Sequence, residues 1–242
     1  SKGVRQTPWS EGMNVRQLEP MGFIKFDILG LSTLRMIEDC VSKILRRHHG
    51  VENPTFADIK AYYDENLHPD KIDLDDQDVY KNIFHDGQWV GVFQFTENGA
   101  QKLAERAKPT SIVDISAITS IYRPGPLSAG VDKAYIKAVA DPDEVDYLND
   151  TVKQVTEETY GFLIFQEQIA KLAYELGDDI TMDEANLLRK ILTKKGTGKG
   201  HEVKDAIYAK FIKGCVDKGI HQISAKELWQ TFEYFSGYGF NK

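Results

Sequence analysis

FIKFDILGL, residues 23–31, is the stretch of sequence from which the organisation of this chain is best interpreted. Its apolar residues alternate, so the even-numbered ones would share one face of a β-strand while Lys25 and Asp27 lie on the other. Two residues along a strand span about 6.6 Å. At that spacing a carboxylate can hold a divalent cation while an ammonium group contacts a phosphate. On the pattern alone, a half-buried strand whose two charges face water is favoured.

The composition is that of an ordinary globular protein, since 41% of the 242 residues are hydrophobic and 28% are charged. The sequence shows no apolar leader and no run approaching the roughly 20 apolar residues of a membrane span, which predicts a cytoplasmic protein. Cys40 and Cys215 are isolated and are expected to be reduced thiols that lie in the core or are half-buried. The six histidines show no ligand spacing, so a structural zinc site is not expected.

Apolar residues elsewhere recur mostly at helical spacing, and the predicted fold class is mainly α with a small β portion (α+β). Side-chain caps are expected from Ser32 or Thr33 and from Thr96, and capping boxes from Thr181–Glu184 and Ser224–Glu227. The residues expected to face the core are Leu34, Ile37, Val41, Ile44 and Leu45; Ala100, Leu103, Ala104 and Ala107; Ile169, Leu172, Ala173 and Leu176; and Ala185, Leu188, Ile191 and Leu192.

Charge is distributed unevenly along the chain, whose net charge is −7. Acidic residues crowd residues 64–86. Basic residues crowd residues 189–213, where the sequence offers only Glu202 and Asp205 as nearby acids. A basic patch on an acidic protein is a candidate phosphate-binding face. A solvated lysine-rich helix and loop is the alternative interpretation of the same pattern.

Two further features were weighed as sites. Asp73 and Asp75 offer the paired carboxylates of a two-metal site, but they lie in a polar run without an apolar strand to hold them, so a solvated loop leading to a helix cap is expected. Arg123 precedes Pro124, which breaks the preceding helix, so its side chain would be displayed at a rigid helix end. Pairing with the terminal carbonyls of that helix is the structural alternative.

Several segments, taken together and in order, resemble the C-family bacterial replicative DNA polymerases, that is, the alpha subunits of DNA polymerase III. The match runs from about residue 17 to the end of the chain. The motifs that carry it are KFDILGL (25–31), GVFQ (91–94), YRPGPL (122–127), YG (160–161) with FQEQ (165–168), LRK (188–190) and YGFNK (238–242).

The resemblance implies a domain organisation and a set of roles. Residues 1–30 would be the end of the palm, a nucleotidyltransferase-type sheet, and residues 31–242 would be the helical fingers. Asp27 looks like the third metal-binding and catalytic aspartate of the palm, and Lys25 like the lysine that contacts the incoming triphosphate.

The resemblance also implies nucleotide-binding residues in the fingers. Arg189 and Lys190 look like the paired basic residues that grip the triphosphate, where the family often has two arginines. A lysine keeps the charge but loses the bidentate fork of arginine. Arg123, Gln166 and Gln168 match family motifs and would serve the nucleotide or support the active site.

The expected activity is template-directed nucleotidyl transfer with two Mg²⁺ ions, on primer–template DNA and dNTPs. The two other palm aspartates, the thumb and the segments that contact the sliding clamp and other replisome subunits have no counterpart in this sequence. The resemblance therefore implies a fragment or one part of a split polymerase, inactive without the remainder.

A different class of function stays open from the sequence. A non-catalytic helical module derived from such a polymerase would bind nucleic acid or another subunit, with Lys194, Lys195, Lys199 and Lys204 as the nucleic-acid-binding residues and no role for Asp27. A metabolic phosphate-binding enzyme is a weaker third interpretation, because the sequence offers no complete pocket for one.

Overall fold

The computed structural model describes residues 30–193 and 201–236, together with Gly22, Ile24, Phe26, Ile28 and Gly239. The chain divides into two compact units, residues 1–64 and residues 65–242.

Helices make up most of the described chain. In order they are α1 (Ser32–His48), α2 (Phe56–Asn66), α3 (Gln77–Val79), a π-helix (Tyr80–His85), α4 (Asn98–Ala107), α5 (Ile112–Ile121), α6 (Pro124–Ser128), α7 (Val131–Ala140), a 3₁₀ turn (Pro142–Glu144), α8 (Asp150–Thr156), a 3₁₀ turn (Glu157–Thr159), α9 (Gln166–Leu176), α10 (Met182–Thr193), α11 (His201–Asp217) and α12 (Gln222–Ser236). The predominantly helical fold predicted from the sequence is confirmed.

The small β portion is not shown. None of the residues that the structure describes forms a β-strand, and Ile24, Phe26 and Ile28 are 76%, 80% and 94% exposed. A β-strand needs both a partner for its backbone hydrogen bonds and a layer to cover its apolar face. Lys25 and Asp27 lie outside the described residues, so a palm strand at this place stays a prediction.

Unit 1 is organised by α1, in which Val41 and Leu45 are buried. Leu34 and Cys40 are exposed, so the predictions that Leu34 faces the core and that Cys40 is at least half-buried are wrong. The predicted cap at Ser32 or Thr33 is wrong. The helix begins at Ser32, and Leu31 is the N-cap residue without a side-chain cap.

Unit 2 contains two hydrophobic cores. The α4–α7 core is formed by large buried side chains that include Phe95, Leu103, Ile118, Ile121, Tyr135, Ile164 and Phe165. The α9–α12 core includes Leu163, Ile169, Leu172, Leu176, Leu188, Phe211, Trp229 and Phe232. The segment just before α9 contributes to both cores, and Phe235 packs against both. The start of α9 therefore lies where the two cores meet.

The predicted core faces of α4 and α9 are confirmed, because every residue assigned to them is buried. On α10, Ala185 and Leu188 are buried while Ile191 and Leu192 are partly exposed. Helical periodicity therefore identified the inner faces well, and less well near the helix end.

Helix starts were predicted less reliably than helix faces. The Thr181–Glu184 capping box is confirmed, since the Thr181 N–H donates to Glu184 Oε2 at 2.8 Å and the Glu184 N–H donates to Thr181 Oγ1 at 3.2 Å. The cap at Thr96 is wrong, because α4 begins at Asn98 after Glu97. The box at Ser224 is also wrong, because α12 begins earlier, at Gln222. Ser224 is then the third residue of the helix, within its first turn, and does not precede the helix as an N-cap residue does.

The end of α9 is fixed by a close approach of α11. Gly214 is buried, and a Cβ atom there would overlap with backbone atoms of Leu176, Gly177 and Asp178. Lys218 donates from Nζ to the carbonyl oxygens of Leu176 and Gly177, both at 3.2 Å. These contacts satisfy terminal carbonyls of α9 and hold α9 against α11.

Candidate functional site

The start of α9 is held by a buried glutamine. Gln168 is 4% exposed, and its Oε1 accepts hydrogen bonds from the backbone N–H groups of Ile164 and Phe165, both at 2.9 Å. Its Nε2 donates to Thr159 Oγ1 at 2.8 Å and to the Val155 carbonyl at 3.3 Å. Both ends of the amide are thus used inside the protein. This arrangement gives Gln168 a supporting position rather than a solvent-facing one.

Gln166, two residues earlier, connects the start of α9 to the end of the chain. Its Nε2 donates to the Gly239 carbonyl at 2.9 Å, across 73 residues of sequence. A Cβ atom at residue 239 would lie 2.8 Å from Gln166 Cγ and 3.2 Å from the Phe235 carbonyl oxygen. A side chain at residue 239 would therefore force Gln166 and the Phe235 carbonyl to shift.

Arg189 reaches the start of α9 from the neighbouring helix α10. Its Nη1 lies 3.2 Å from Glu167 Oε1, with the two side chains 23% and 46% exposed. Leu188 is buried in the α9–α12 core and fixes the rotation of α10. Successive helical residues are turned by about 100°, so Arg189 lies at the edge of the interface and Lys190 is exposed. The two predicted triphosphate-binding cations therefore stand in different environments.

Arg123 lies in another part of unit 2. It is exposed, serves as the N-cap residue of α6, and lines a cavity of about 500 Å³ together with Gln94, Glu97 and Tyr122. The Tyr122 hydroxyl donates to Glu97 Oε2 at 3.1 Å, and this bond raises the pKa of Tyr122. The cavity brings together the GVFQ and YRPGPL motifs, which the sequence separates by about 30 residues.

Each lysine of α11 is paired with at least one acid that is distant in sequence. Lys204 lies 2.8 Å from Glu233, and Lys210 lies 2.7 Å from Glu184. Lys213 is paired with Asp178 and with Asp217. The sequence pattern counted only Glu202 and Asp205 as neighbouring acids, so the described part of the basic patch carries less free positive charge than predicted. Lys194, Lys195 and Lys199 lie outside the described residues.

These ion pairs shift the pKa values of their members. The bond to Lys210, and then that to the Thr181 backbone, lowers the pKa of the Glu184 carboxyl. The bond to Lys213 likewise lowers the pKa of Asp178. The same bonds raise the pKa values of Lys210 and Lys213. The paired groups therefore stay charged over a wider range of pH.

No group of three or more His, Cys, Asp or Glu side chains that could hold a metal ion occurs among the described residues. Asp73 and Asp75 are exposed in a loop, where the Asp75 N–H donates to Asp73 Oδ1 at 2.9 Å, and Asp76 then caps α3. The expectation of a solvated loop is confirmed. The described residues thus do not by themselves fit a magnesium centre, and Asp27 is not among them.

Sequence reasoning singled out Gln166 and Gln168 but passed over Glu167 between them. The signal was present, since an acidic residue in the first turn of a helix is favoured there and can pair with a cation nearby. Which cation it meets depends on the packing of α9 on α10, which the sequence does not specify.

Within the described parts of the chain, no helix combines the length and apolar composition that crossing a membrane requires.

Comparison with known proteins identifies the family. The model of the bacterial DNA polymerase III alpha subunit finger domain matches residues 33–219, so the chain belongs to this family. The resemblance inferred from the motifs is confirmed.

Curated relatives carry the name DNA polymerase III subunit alpha. The chain is 36% identical to the protein of Aquifex aeolicus over 93% of its own length and 18% of that protein. It is 37% identical to the protein of Rickettsia felis over 96% of its length and 17% of that protein. For Campylobacter jejuni the values are 32%, 93% and 17%. The chain thus spans less than a fifth of these relatives.

The proposed boundary between palm and fingers at residues 30 and 31 stays a prediction. The family model begins near it, at residue 33, whereas the first compact unit of the structure extends to residue 64.

Proposed function

We propose that this chain supplies the fingers of a DNA-directed DNA polymerase and contacts the incoming dNTP and the primer–template. Membership of the finger-domain family supports this proposal. The observation that carries it furthest is the placement of Arg189, a cation of the LRK motif, beside the FQEQ motif at a rigid helix start. A cationic side chain with fixed geometry is what recognition of a phosphate requires.

The roles follow from charge and from burial. Arg189 and Lys190 would neutralise charge on the nucleotide triphosphate, together with Lys25 from the palm, as negative charge develops during nucleotidyl transfer. Gln166 and Gln168 would act indirectly, by fixing the start of α9. Arg123 would support the active site from the cavity that it shares with Glu97.

Magnesium is part of the proposal through Asp27 and acidic residues that this sequence does not contain. Bound Mg²⁺ would supply charge neutralisation at the phosphates. Because the described residues do not form such a centre, we derive no step of the reaction through it.

The test uses the polymerase that carries this chain. Arg189→Ala should raise the KM for dNTP by about 10- to 100-fold, since a charge-assisted hydrogen bond contributes about 1.5–3 kcal/mol. Lys190→Ala should also raise the KM for dNTP. Lys226, which is exposed on α12, provides a matched control, and Lys226→Ala should leave the KM unchanged. A dNTP KM that stays at the wild-type value in Arg189→Ala would contradict the proposal.

The alternative of a non-catalytic nucleic-acid-binding module finds less support among the described residues. It relies on the basic patch, and the described lysines Lys204, Lys210 and Lys213 form ion pairs within the protein. Forming contacts with DNA would require these pairs to exchange one partner for another, which reduces the gain in binding.

A further inference from the structure

We infer that Glu167 is a positioning residue for nucleotide binding, which holds the Arg189 guanidinium at the edge of the α9–α10 interface. The inference rests on the proposed function, because it assigns Glu167 a purpose only if Arg189 contacts the triphosphate.

The backbone of Glu167 is held on both sides. Gln166 is bonded to Gly239, and Gln168 is buried with hydrogen bonds to four groups of the protein. A residue between two such anchors cannot shift without breaking one of them. The backbone position from which the Glu167 carboxylate extends is therefore fixed.

The carboxylate also has an electrostatic reason to be there. Glu167 lies in the first turn of α9, where the helix dipole favours a negative charge. It accepts one of the five N–H donors of Arg189, at Nη1. A guanidinium is planar, so one fixed contact restricts the directions in which its other N–H groups can point.

The contact with Glu167 changes how freely the Arg189 side chain can move. That side chain is 23% exposed and is paired with Glu167. A long side chain loses rotational freedom when it binds a ligand, and a side chain that is already held loses less. Glu167 would therefore lower the entropic cost of binding a triphosphate at Arg189.

The experiment measures dNTP KM and kcat in primer extension by the polymerase that carries this chain. Glu167→Ala should raise the KM by about three- to fivefold, the range of a partly exposed ion pair, with kcat changed less than twofold. Glu167→Gln keeps an oxygen that can accept the hydrogen bond and should raise the KM less. Glu175 is exposed on the same helix, and Glu175→Ala should change neither parameter.

A double-mutant cycle separates positioning from a general structural role. If Glu167 acts through Arg189, adding Glu167→Ala to Arg189→Ala should change the KM less than 1.5-fold further. An equal effect in both backgrounds would overturn the inference. So would a KM that falls in Glu167→Gln, because the carboxylate would then be repelling the nucleotide.

The outcomes also distinguish the two levels of the proposal. An unchanged KM in Arg189→Ala contradicts the proposed function and the role of Glu167 with it. A raised KM in Arg189→Ala with wild-type kinetics in both Glu167 variants leaves the proposed function standing and refutes only the positioning role. Thermal melting of each variant shows whether a kinetic change follows loss of fold instead.

Discussion

Replacing Gln168 with alanine should be among the most damaging single changes in unit 2. The side chain is buried, and its Oε1 is the acceptor for the backbone N–H groups of Ile164 and Phe165. Both of these N–H groups belong to residues that are themselves buried. Alanine removes the acceptor and leaves two buried donors without a partner.

The magnitude follows from these contacts. A buried donor that loses its partner costs about 1–3 kcal/mol, so two such donors set a range of about 2–6 kcal/mol. The Thr159 hydroxyl loses one contact but keeps its bonds to the Thr156 and Phe162 carbonyls, so it adds little. We expect a loss of about 3–5 kcal/mol, a large fraction of the roughly 5–15 kcal/mol that stabilises a typical domain.

Urea denaturation followed by circular dichroism measures the change in the free energy of unfolding. Gln154 is the matched control, because it is a glutamine on the neighbouring helix α8 and is exposed. Gln154→Ala should stay within about 0.5 kcal/mol of the wild type. A loss below about 1 kcal/mol in Gln168→Ala would refute the idea that this amide holds the start of α9.

A second variant tests the direction of the bonds. Gln168→Glu keeps an acceptor for the two backbone donors but has no donor for Thr159 Oγ1 and the Val155 carbonyl while the introduced carboxyl is ionised. Burial disfavours the charged form, and protonation restores a donor. The stability of this variant relative to the wild type should therefore improve as the pH is lowered. A pH-independent difference would argue against this hydrogen-bond arrangement.

Three further expectations concern other places in the chain. Gly214→Ala should lower the free energy of unfolding by about 1–3 kcal/mol in urea denaturation, because the added methyl group meets backbone atoms at the end of α9. A gain in stability would contradict the close approach of α11 to α9. The pKa of Glu184 is lowered below its ordinary 4.5, so its pair with Lys210 stabilises the fold above that pH, and this stabilisation is lost as the pH falls through the lowered value. The difference in melting temperature between the wild type and Glu184→Gln should therefore shrink as the pH is lowered through this range. A difference that stays constant with pH would contradict this role of the ion pair. Asp27→Asn should abolish primer extension by the polymerase with little loss of DNA binding, and wild-type extension by this variant would contradict the catalytic role of Asp27. This chain alone should extend no primer, and metal-dependent extension by the pure chain would contradict that expectation.

Local patterns predicted the helices and their inner faces because burial on a helix repeats with a period that the sequence displays directly. The faces of α4 and α9 illustrate this, since each predicted core residue is buried. The ends of helices were predicted less well, as Thr96 and Ser224 show. A capping residue signals where a helix could begin, whereas the actual start also depends on what the preceding segment contacts.

For the candidate site too, the sequence identified some features and did not reveal others. The motifs identified the family and singled out Arg189, Gln166 and Gln168, because these letters and their spacing are carried by the sequence itself. They did not reveal that Gln168 is buried, since a polar residue is ordinarily expected at the surface.

The sequence by itself determined the helical class of this protein, the core faces of α4 and α9 and its membership of the polymerase finger family. Only the tertiary structure decided which charges meet. Glu167 pairs with Arg189, which is 22 residues away in sequence, and Lys204 pairs with Glu233, which is 29 residues away. Such pairs depend on how helices pack against one another, and the packing is fixed by side chains from the whole of unit 2 rather than by any local stretch.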